Sequence, residues 1–485
     1  MLFSFVLGCS KAPGTDPQKI LPPPVDSTKQ NVSTTFGSNG TSWITDIHNI
    51  NLGGNSAPSM ATDAGGNVFV MFNPYGIFDA DPGSATVIAG SSPVQYSATL
   101  VKYDPAGKFI WMKQFSTAGA INRIKMITDN QGNIYCSMLC TNSPVLQFGG
   151  DSYSLKQPNA SNIVIKFNSQ GQKQWVKEIG TLYYSEFSMD GVLSIAVDNN
   201  SNLYVVGVSE HSVVFYNYNG DNSFTLQLPV DQQYYFLAKY DAGGKLLFNK
   251  PVVPFSEASI NPGYQRTYFT VDKNENVYIA GETQFVPANG HTIIGDDLTH
   301  DAGGFITKYD KDGNWIWVRG VKFSTFYEIS NDAEGNIYTS SETTTLFDTN
   351  LLSKIDADGN DLWTNKVSRL FNNLSTKIAF DKTGNVLYMG ECIYANDPRI
   401  EYSNSIYLNK YTSTGATVYT NILTGYHNVS HVNLSDALID NSGNIDMIGG
   451  YVSSLKLLGT AGDPNDPPND YTGGIFIAHF PDKAW

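Results

Sequence analysis

The sequence predicts an all-β fold: a seven-bladed β-propeller of four-stranded antiparallel blades, closed by an N-terminal strand that completes the last blade. Three observations carry this reading. Two short phrases alternate along the chain, each phrase reads as a hairpin, and the two chain ends carry complementary halves of one repeat. The first phrase is Asp, three residues, Asn, then an apolar or aromatic pair, at Asp63/Asn67, Asp129/Asn133, Asp198/Asn202, Asp272/Asn276, Asp332/Asn336, Asp381/Asn385 and Asp440/Asn444. The second is a Lys with an aromatic nine positions on and a Gly four before the aromatic. It occurs at Lys102/Gly107/Trp111, Lys166/Gly171/Trp175, Lys239/Gly244/Phe248, Lys308/Gly313/Trp317, Lys354/Gly359/Trp363 and Lys410/Gly415/Tyr419. Repetition at this period means stacked or circular units.

Each phrase places a tight Asp/Asn/Gly turn between two β-rich runs, as in Leu193–Asp198 followed by Asn202–Gly207. That is a hairpin signal: Asp accepts from backbone N–H groups inside the turn, and Gly or Asn tolerates φ > 0. A unit therefore supplies four strands, a and b from the first phrase, c and d from the second. No helical period is sustained. Four-stranded units repeated around an axis make a propeller. At the C-terminal end, Ile475–Phe480 is a c strand with His479 in the Lys slot, while Gly40–Thr45 is a d strand bearing Trp43 with no c strand before it. Pairing the two completes the seventh blade and removes the free edges. The recurrent aromatics Trp43, Trp111, Trp175, Phe248, Trp317, Trp363 and Tyr419 are expected to pack between adjacent blades. A buried Trp removes up to ~200 Å² from water, on the order of 5 kcal/mol gross.

The composition excludes some functions. Of 485 residues, 30 are Lys or Arg and 45 Asp or Glu, a formal charge of −15. No basic cluster exists to hold phosphates, so no nucleic-acid partner is expected. No stretch reaches the ~18 apolar residues of a membrane span. The N-terminus differs in kind. Leu2–Leu7 is apolar, Gly8-Cys9-Ser10 follows, and Lys11–Asn31 contains Pro22-Pro23-Pro24. Val6-Leu7-Gly8-Cys9 resembles the lipobox of bacterial lipoproteins, without the usual basic n-region. The organisation expected is a signal remnant over 1–9 ending at a lipidated Cys9, a flexible Pro-rich tether over 10–40, and the propeller over 41–485. Cys136 and Cys140, four apart on one strand, are too far apart to bridge and poorly spaced for zinc. They and Cys392 read as small buried side chains.

Strand parity separates the two faces of the disc. The a–b and c–d turns share one face and are short and uniform. The b–c and d–a connections share the other, and the b–c connections are long and unlike: Phe72–Ser97, Leu139–Asn162, Ser209–Gln233, Thr283–Ala302 and Tyr451–Tyr471. Long scaffolded loops are where binding sites concentrate, although Val145–Gly150 and Ile293–Gly295 also read as small extra hairpins covering the blades. The candidate ligand-binding residues on this decorated face are Tyr183, Tyr184, Tyr216, Tyr234, Tyr264 and Arg266. Rings with hydroxyls and nearby charge suit sugar or peptide surfaces, and packing inside loop hairpins is the plainer alternative.

No catalytic group is indicated. Asp310-Lys311-Asp312-Gly313-Asn314 and Asp356-Ala357-Asp358-Gly359-Asn360 start like a calcium loop but lack its twelfth-position acid, so hairpin chemistry explains them better. Asp79-Ala80-Asp81 is a freer but weak candidate. His427 and His431 have zinc-like spacing only on a helix, and none is indicated. There is no nucleophile elbow and no Gly-rich phosphate loop. No metal and no cofactor is expected.

The run Asp272-x3-Asn276-Val-Tyr-Ile-Ala-Gly-Glu-Thr283, followed by Gly304–Asp310 and Gly313–Trp317, resembles the bacterial SBBP (seven-bladed β-propeller) repeat. The resemblance spans nearly all of 41–485 and implies a secreted or lipid-anchored propeller. A second one is weaker. Asp104-x2-Gly107-x3-Trp111 is similar to the tryptophan-docking phrase of quinoprotein propellers, with Gly one residue closer to Asp and the usual Thr missing. The function expected is a non-catalytic binding scaffold, monomeric, held at the bacterial outer membrane through Cys9, with a glycan, peptide or envelope protein as ligand. The alternative is an envelope enzyme, glycan-active or quinone-dependent, with its site in the central funnel of the same face.

Overall fold

The computed structural model describes residues 32–36, 43–48, 51–52, 57–75, 77–81, 87–90, 97–181, 191–209, 212–216, 223–228, 234–252, 267–283, 292–295, 303–322, 324–343, 349–367, 376–394, 403–424, 431–452 and 474–481. Seven antiparallel sheets follow one another along the chain, each built from strands a to d in that order. Blade 1 is Ser59–Thr62, Val68–Phe72, Ser97–Tyr103 and Phe109–Thr117; blade 2 is Ala120–Thr128, Ile134–Thr141, Ala160–Phe167 and Lys173–Thr181. The a strands of the remaining blades are Gly191–Val197, Tyr268–Val271, Ser324–Asn331, Thr376–Phe380 and His431–Ile439. These first strands are neighbours in a closed circle, blade 7 returning to blade 1, so they surround the axis.

The core lies between blades. Strands b and c of blades 1 to 3 are buried at every described position, because each of their faces meets a neighbouring blade. Val68, Val70 and Phe72 pack with Ile448, Ile475 and Ile477 of blade 7, whereas Phe69 and Met71 pack towards blade 2. Cys136 and Cys140 are free and buried in the latter cluster, and burial pushes the Cys140 thiol up to about 12. The side chain of Cys392 is outside the described residues.

Blade 7 closes the ring across the chain ends. Trp43–His48 pairs antiparallel with Gly474–Pro481, Trp43 opposite His479, so the N-terminal strand supplies strand d. Val32–Phe36 then pairs on Trp43–His48 as a fifth strand. This corrects the tether boundary: five residues of the expected 10–40 tether belong to the propeller sheet. Cys9 and the rest of the expected signal and tether lie outside the described residues.

The phrases explain the turns. Asp63 N donates to Asn67 O at 3.1 Å, and Gly66 N to Asp63 O at 3.0 Å with Gly66 at φ 76°, a type I turn followed by a left-handed residue. Asp63 Oδ1 accepts the backbone N–H groups of Gly65 and Asn67.

The long b–c connections add strands at the rim. Val145–Phe148 and Asp151–Ser154, from blade 2, form a hairpin on the outer strand of blade 1. Val213–Tyr216 and Phe224–Leu226, from blade 3, do the same on blade 2. Thr292–Gly295 runs parallel to Trp315–Lys322 in its own blade. Glu178, fully buried, anchors the first hairpin by accepting from Lys156 N, Gln157 N, Ser161 Oγ and Tyr153 OH at 2.6–3.1 Å.

Candidate functional site

On the plain face the repeat chemistry is directed between blades. In blades 1 to 6 the b-strand residue six after the turn Asp, the c-strand Lys and the d-strand aromatic lie side by side in one transverse row. Tyr135, Lys166 and Trp175 form this row in blade 2. Lys166 Nζ lies over the Tyr135 ring and reaches Ala242 O of blade 3 at 3.1 Å. Trp175 Nε1 donates to the same oxygen at 3.2 Å. Gly244 of that turn is at φ 83°, and a Cβ there would sit 3.1 Å from the Trp175 ring. Trp43 donates likewise to Pro105 O at 3.0 Å, and Trp317 to Ala357 O at 3.3 Å. Trp111, Trp175, Phe248, Trp363 and Tyr419 are half-buried; Trp43 and Trp317 are buried.

The calcium-like phrases belong to the same chemistry. Asp310 Oδ1 accepts from Asp312 N and Asn314 N at 2.9 and 2.8 Å, as Asp63 does in its own turn, and Asp356 repeats the pattern. Asp79 Oδ1 accepts from Asp81 N and Val87 N, capping its loop.

The candidate aromatic face does not assemble among the described residues. Tyr183, Tyr184, Tyr264, Arg266 and His427 lie outside them. Tyr216 is on the rim strand added to blade 2, and its hydroxyl accepts from Gln157 Nε2 at 3.0 Å. Tyr234 is corrected: it is 5% exposed within the core cluster of blade 3, so it offers no surface to a ligand. Its strand has a neighbour on each side, and the ring turns inward.

What the fold does converge is a collar around the axis. The residue four before each turn Asp sits on the innermost strand of its blade: Ser59, Lys125, Ser194, Tyr268, Glu328, Lys377 and Asp436. In four blades a register shift falls just before it, between Asn122 and Lys125, Val192 and Ser194, Phe326 and Glu328, and Leu434 and Asp436. A bulge of this kind re-aims a side chain. Lys377 Nζ bridges Asp436 Oδ1 at 3.3 Å and Glu328 Oε2 at 3.6 Å. Asp436 Oδ2 also accepts from Met60 N at 3.1 Å and Ser59 Oγ at 3.4 Å.

Electrostatics divide the collar. Burial alone would lower the Lys377 ammonium, but Asp436 and Glu328 override it and hold its pKa above the ordinary lysine value. Burial raises Glu328, against the pull of Lys377. Lys125 is lowered, first by burial and then by Lys377. It is also exposed, which places its ammonium in a solvent-reached space walled by protein. Among the described residues Lys125 makes no ion pair. Both collar carboxylates are thus bridged by Lys377 and also attract Lys125. The Lys125 side chain has no contact partner of its own among the described residues and faces the same space as the neighbouring blade's collar residue, Ser194. A perturbed lysine in such a space is a functional-site signal. Each collar residue stands at a fixed offset from its turn Asp, a signal the sequence carries but that is overlooked when only the phrases are read.

These features define a seven-bladed β-propeller with a polar axial collar. No family model matches the chain. It is similar to an uncharacterized WD repeat-containing protein of Acanthamoeba polyphaga mimivirus, 21% identical over 83% of this chain and 34% of the relative. The chain thus spans about a third of that relative's length. Among solved structures it is similar to a protein of unknown function from Dyadobacter fermentans (11% identity, 92% of this chain and 97% of that one, TM-score 0.37). It is also similar to the Dos1 propeller (8%, 93% of each chain, TM-score 0.42) and to polysaccharide lyase Uly1 (8%, 89% and 91%, TM-score 0.43).

Proposed function

We propose that the chain is a non-catalytic, SBBP-type propeller of the bacterial cell envelope, anchored through lipidated Cys9 and binding a polar ligand, a glycan or peptide, at the decorated end of its axis. One observation carries the binding reading: the repeat residues of the plain face are engaged between blades, whereas the side chains of Lys125 and Ser194, on innermost strands, make no ion pair or hydrogen bond to another described residue. A ligand with acceptor groups complements that side of the collar. Envelope proteins are the alternative partners, and the acidic chain speaks against nucleic acid. Binding of the purified propeller to glycan and peptide arrays tests the reading. Hits are expected that weaken for Lys125→Met; an array without hits, or hits indifferent to that substitution, would remove the collar from the site. For the anchor, labelling of the expressed chain with radioactive palmitate should occur and be lost in Cys9→Ser.

A second reading, an envelope enzyme acting on glycans, draws on Glu328 and Asp436, two carboxylates brought to one axial space. Paired carboxylates can serve as acid and base in glycoside chemistry. Their shared attachment to Lys377 favours the binder. Release of reducing ends from envelope glycans, abolished by Glu328→Gln, would reverse that preference.

A further inference from the structure

We propose that Asp440, Asp446 and His479, at the seam where the ring closes, form a binding site for a divalent transition-metal ion, with Zn²⁺ as the best match. The argument starts from the other six blades. There the transverse row reads Phe69–Lys102, Tyr135–Lys166, Tyr204–Lys239, Tyr278–Lys308, Tyr338–Lys354 and Leu387–Lys410. In five of them the lysine ammonium stands beside the turn carboxylate, at 2.7–4.0 Å from Asp63, Asp129, Asp198, Asp332 and Asp381. There a buried turn carboxylate meets a fixed cation. In blade 7 both row positions change. His479 replaces the lysine and Asp446 replaces the aromatic or leucine, the two being cross-strand partners. The seam thus holds two buried carboxylates and has lost its fixed cation.

Matching the charge balance of the other blades takes two positive charges. A protonated imidazole supplies one, and the second buried carboxylate must then take up a proton, as burial favours. A divalent ion with neutral imidazole supplies both. The geometry fits a common centre: one ligand atom from each of the three residues lies within 4.8 Å of the others, and all three residues are buried. His479 Nδ1 and Asp446 Oδ1 are 2.7 Å apart, a hydrogen bond that an ion entering between the two atoms would replace. Asp446 is fully buried, and its Oδ2 has no hydrogen-bond partner. Asn444 Nδ2 donates to Asp440 Oδ2 at 2.8 Å, and Trp43 stacks on the imidazole at 5.5 Å and 15°, so outer groups orient two of the ligands. One imidazole and two carboxylates suit Zn²⁺ or Co²⁺, whereas Ca²⁺ needs six or more oxygens. Such an ion would do for the closing blade what lysine does in the others, with Trp43 coupling it to the N-terminal strand.

The test uses the full chain after dialysis against a chelator. Titration with Zn²⁺ is expected to show uptake of one ion per chain and a raised melting temperature, and Co²⁺ should give the visible absorption of a low-symmetry site. The double variant Asp446→Tyr with His479→Lys rebuilds the row of the other blades; it should stay folded without metal and lose both uptake and absorption. Asp446→Asn keeps the shape and should lose stoichiometric uptake. No uptake by the parent chain, equal uptake by the double variant, or a melting temperature that follows pH but is indifferent to Zn²⁺ would each overturn the site.

Discussion

Lys166 Nζ and Trp175 Nε1, cross-strand partners in blade 2, converge on one acceptor, the carbonyl oxygen of Ala242 in the next blade, at 3.1 and 3.2 Å. Lys308 with Trp317 does the same at Ala357, and Lys354 with Trp363 at Ser413. These three c–d turns are each held by two donors from the blade before. Cohesion is passed around the ring by contacts that never leave the plain face.

Removing one donor with its ring should loosen a single interface. Trp317→Ala is expected to lower stability by about 3–5 kcal/mol, from lost apolar burial and a cavity between blades 4 and 5. Trp317→Phe keeps most of the ring volume and gives up the hydrogen bond, about 1 kcal/mol. Chemical denaturation of the two variants measures both, and an unchanged curve for the alanine variant would place the ring outside the interface.

The closing strand should matter more than any single row. Trp43 is 1% exposed, donates to Pro105 O and stacks on His479. Deleting residues 41–49 leaves the strand Gly474–Pro481 as an unpaired edge, which invites pairing with a second chain. Early aggregation on heating and faster limited proteolysis are the expected outcomes; a variant as stable and monomeric as the parent would show that closure does not depend on this strand.

Glu391 gives the fold a pH dependence. Burial raises its carboxyl to about 7, and its backbone partner is Leu434 N, at 3.1 Å. The folded pKa lies above the unfolded one, so the folded state binds the proton more tightly. The resulting stabilisation is complete below the unfolded pKa near 4.5 and is lost as pH rises through about 7. Glu391→Gln keeps the acceptor and removes the titration. Between pH 5 and pH 8 the parent should lose on the order of 2 kcal/mol more than the variant, measured by urea unfolding at the two pH values.

Collar lysines should separate by role. Lys377→Met leaves Glu328 and Asp436 facing each other without their bridge and should cost about 3–5 kcal/mol. Lys125→Met removes a cation with no ion pair among the described residues, so its stability should change by under about 1 kcal/mol while ligand retention on the arrays falls. Equal destabilisation by the two would make the collar purely structural.

The hairpins and the blade count were legible in the chain because their chemistry is local. An Asp and an Asn four residues apart hold a turn by hydrogen bonds that span five residues, and the same signal recurs seven times. The row partners Lys and aromatic follow from antiparallel register, and so does the pairing of Trp43 with His479. The rim hairpin over 145–154 also stands where its phrase suggested, whereas Thr292–Gly295 adds a single parallel strand in place of a hairpin.

Convergence was beyond the chain's local patterns. That Tyr234 turns into the core depends on strands lying on both sides of it. Val32–Phe36 joins the sheet because Trp43–His48 offers it an unpaired edge, a fact about the closed ring and not about a Pro-rich segment. The collar brings together seven residues from seven separate repeats, and Asp440, Asp446 and His479 meet because the strand Gly474–Pro481 pairs on the hairpin that carries both aspartates. Sequence alone thus determined the repeated unit, since a turn is fixed by neighbours along the chain. Tertiary structure decided which polar groups face one another, because charge and burial depend on distances in space that the ring sets only when it closes.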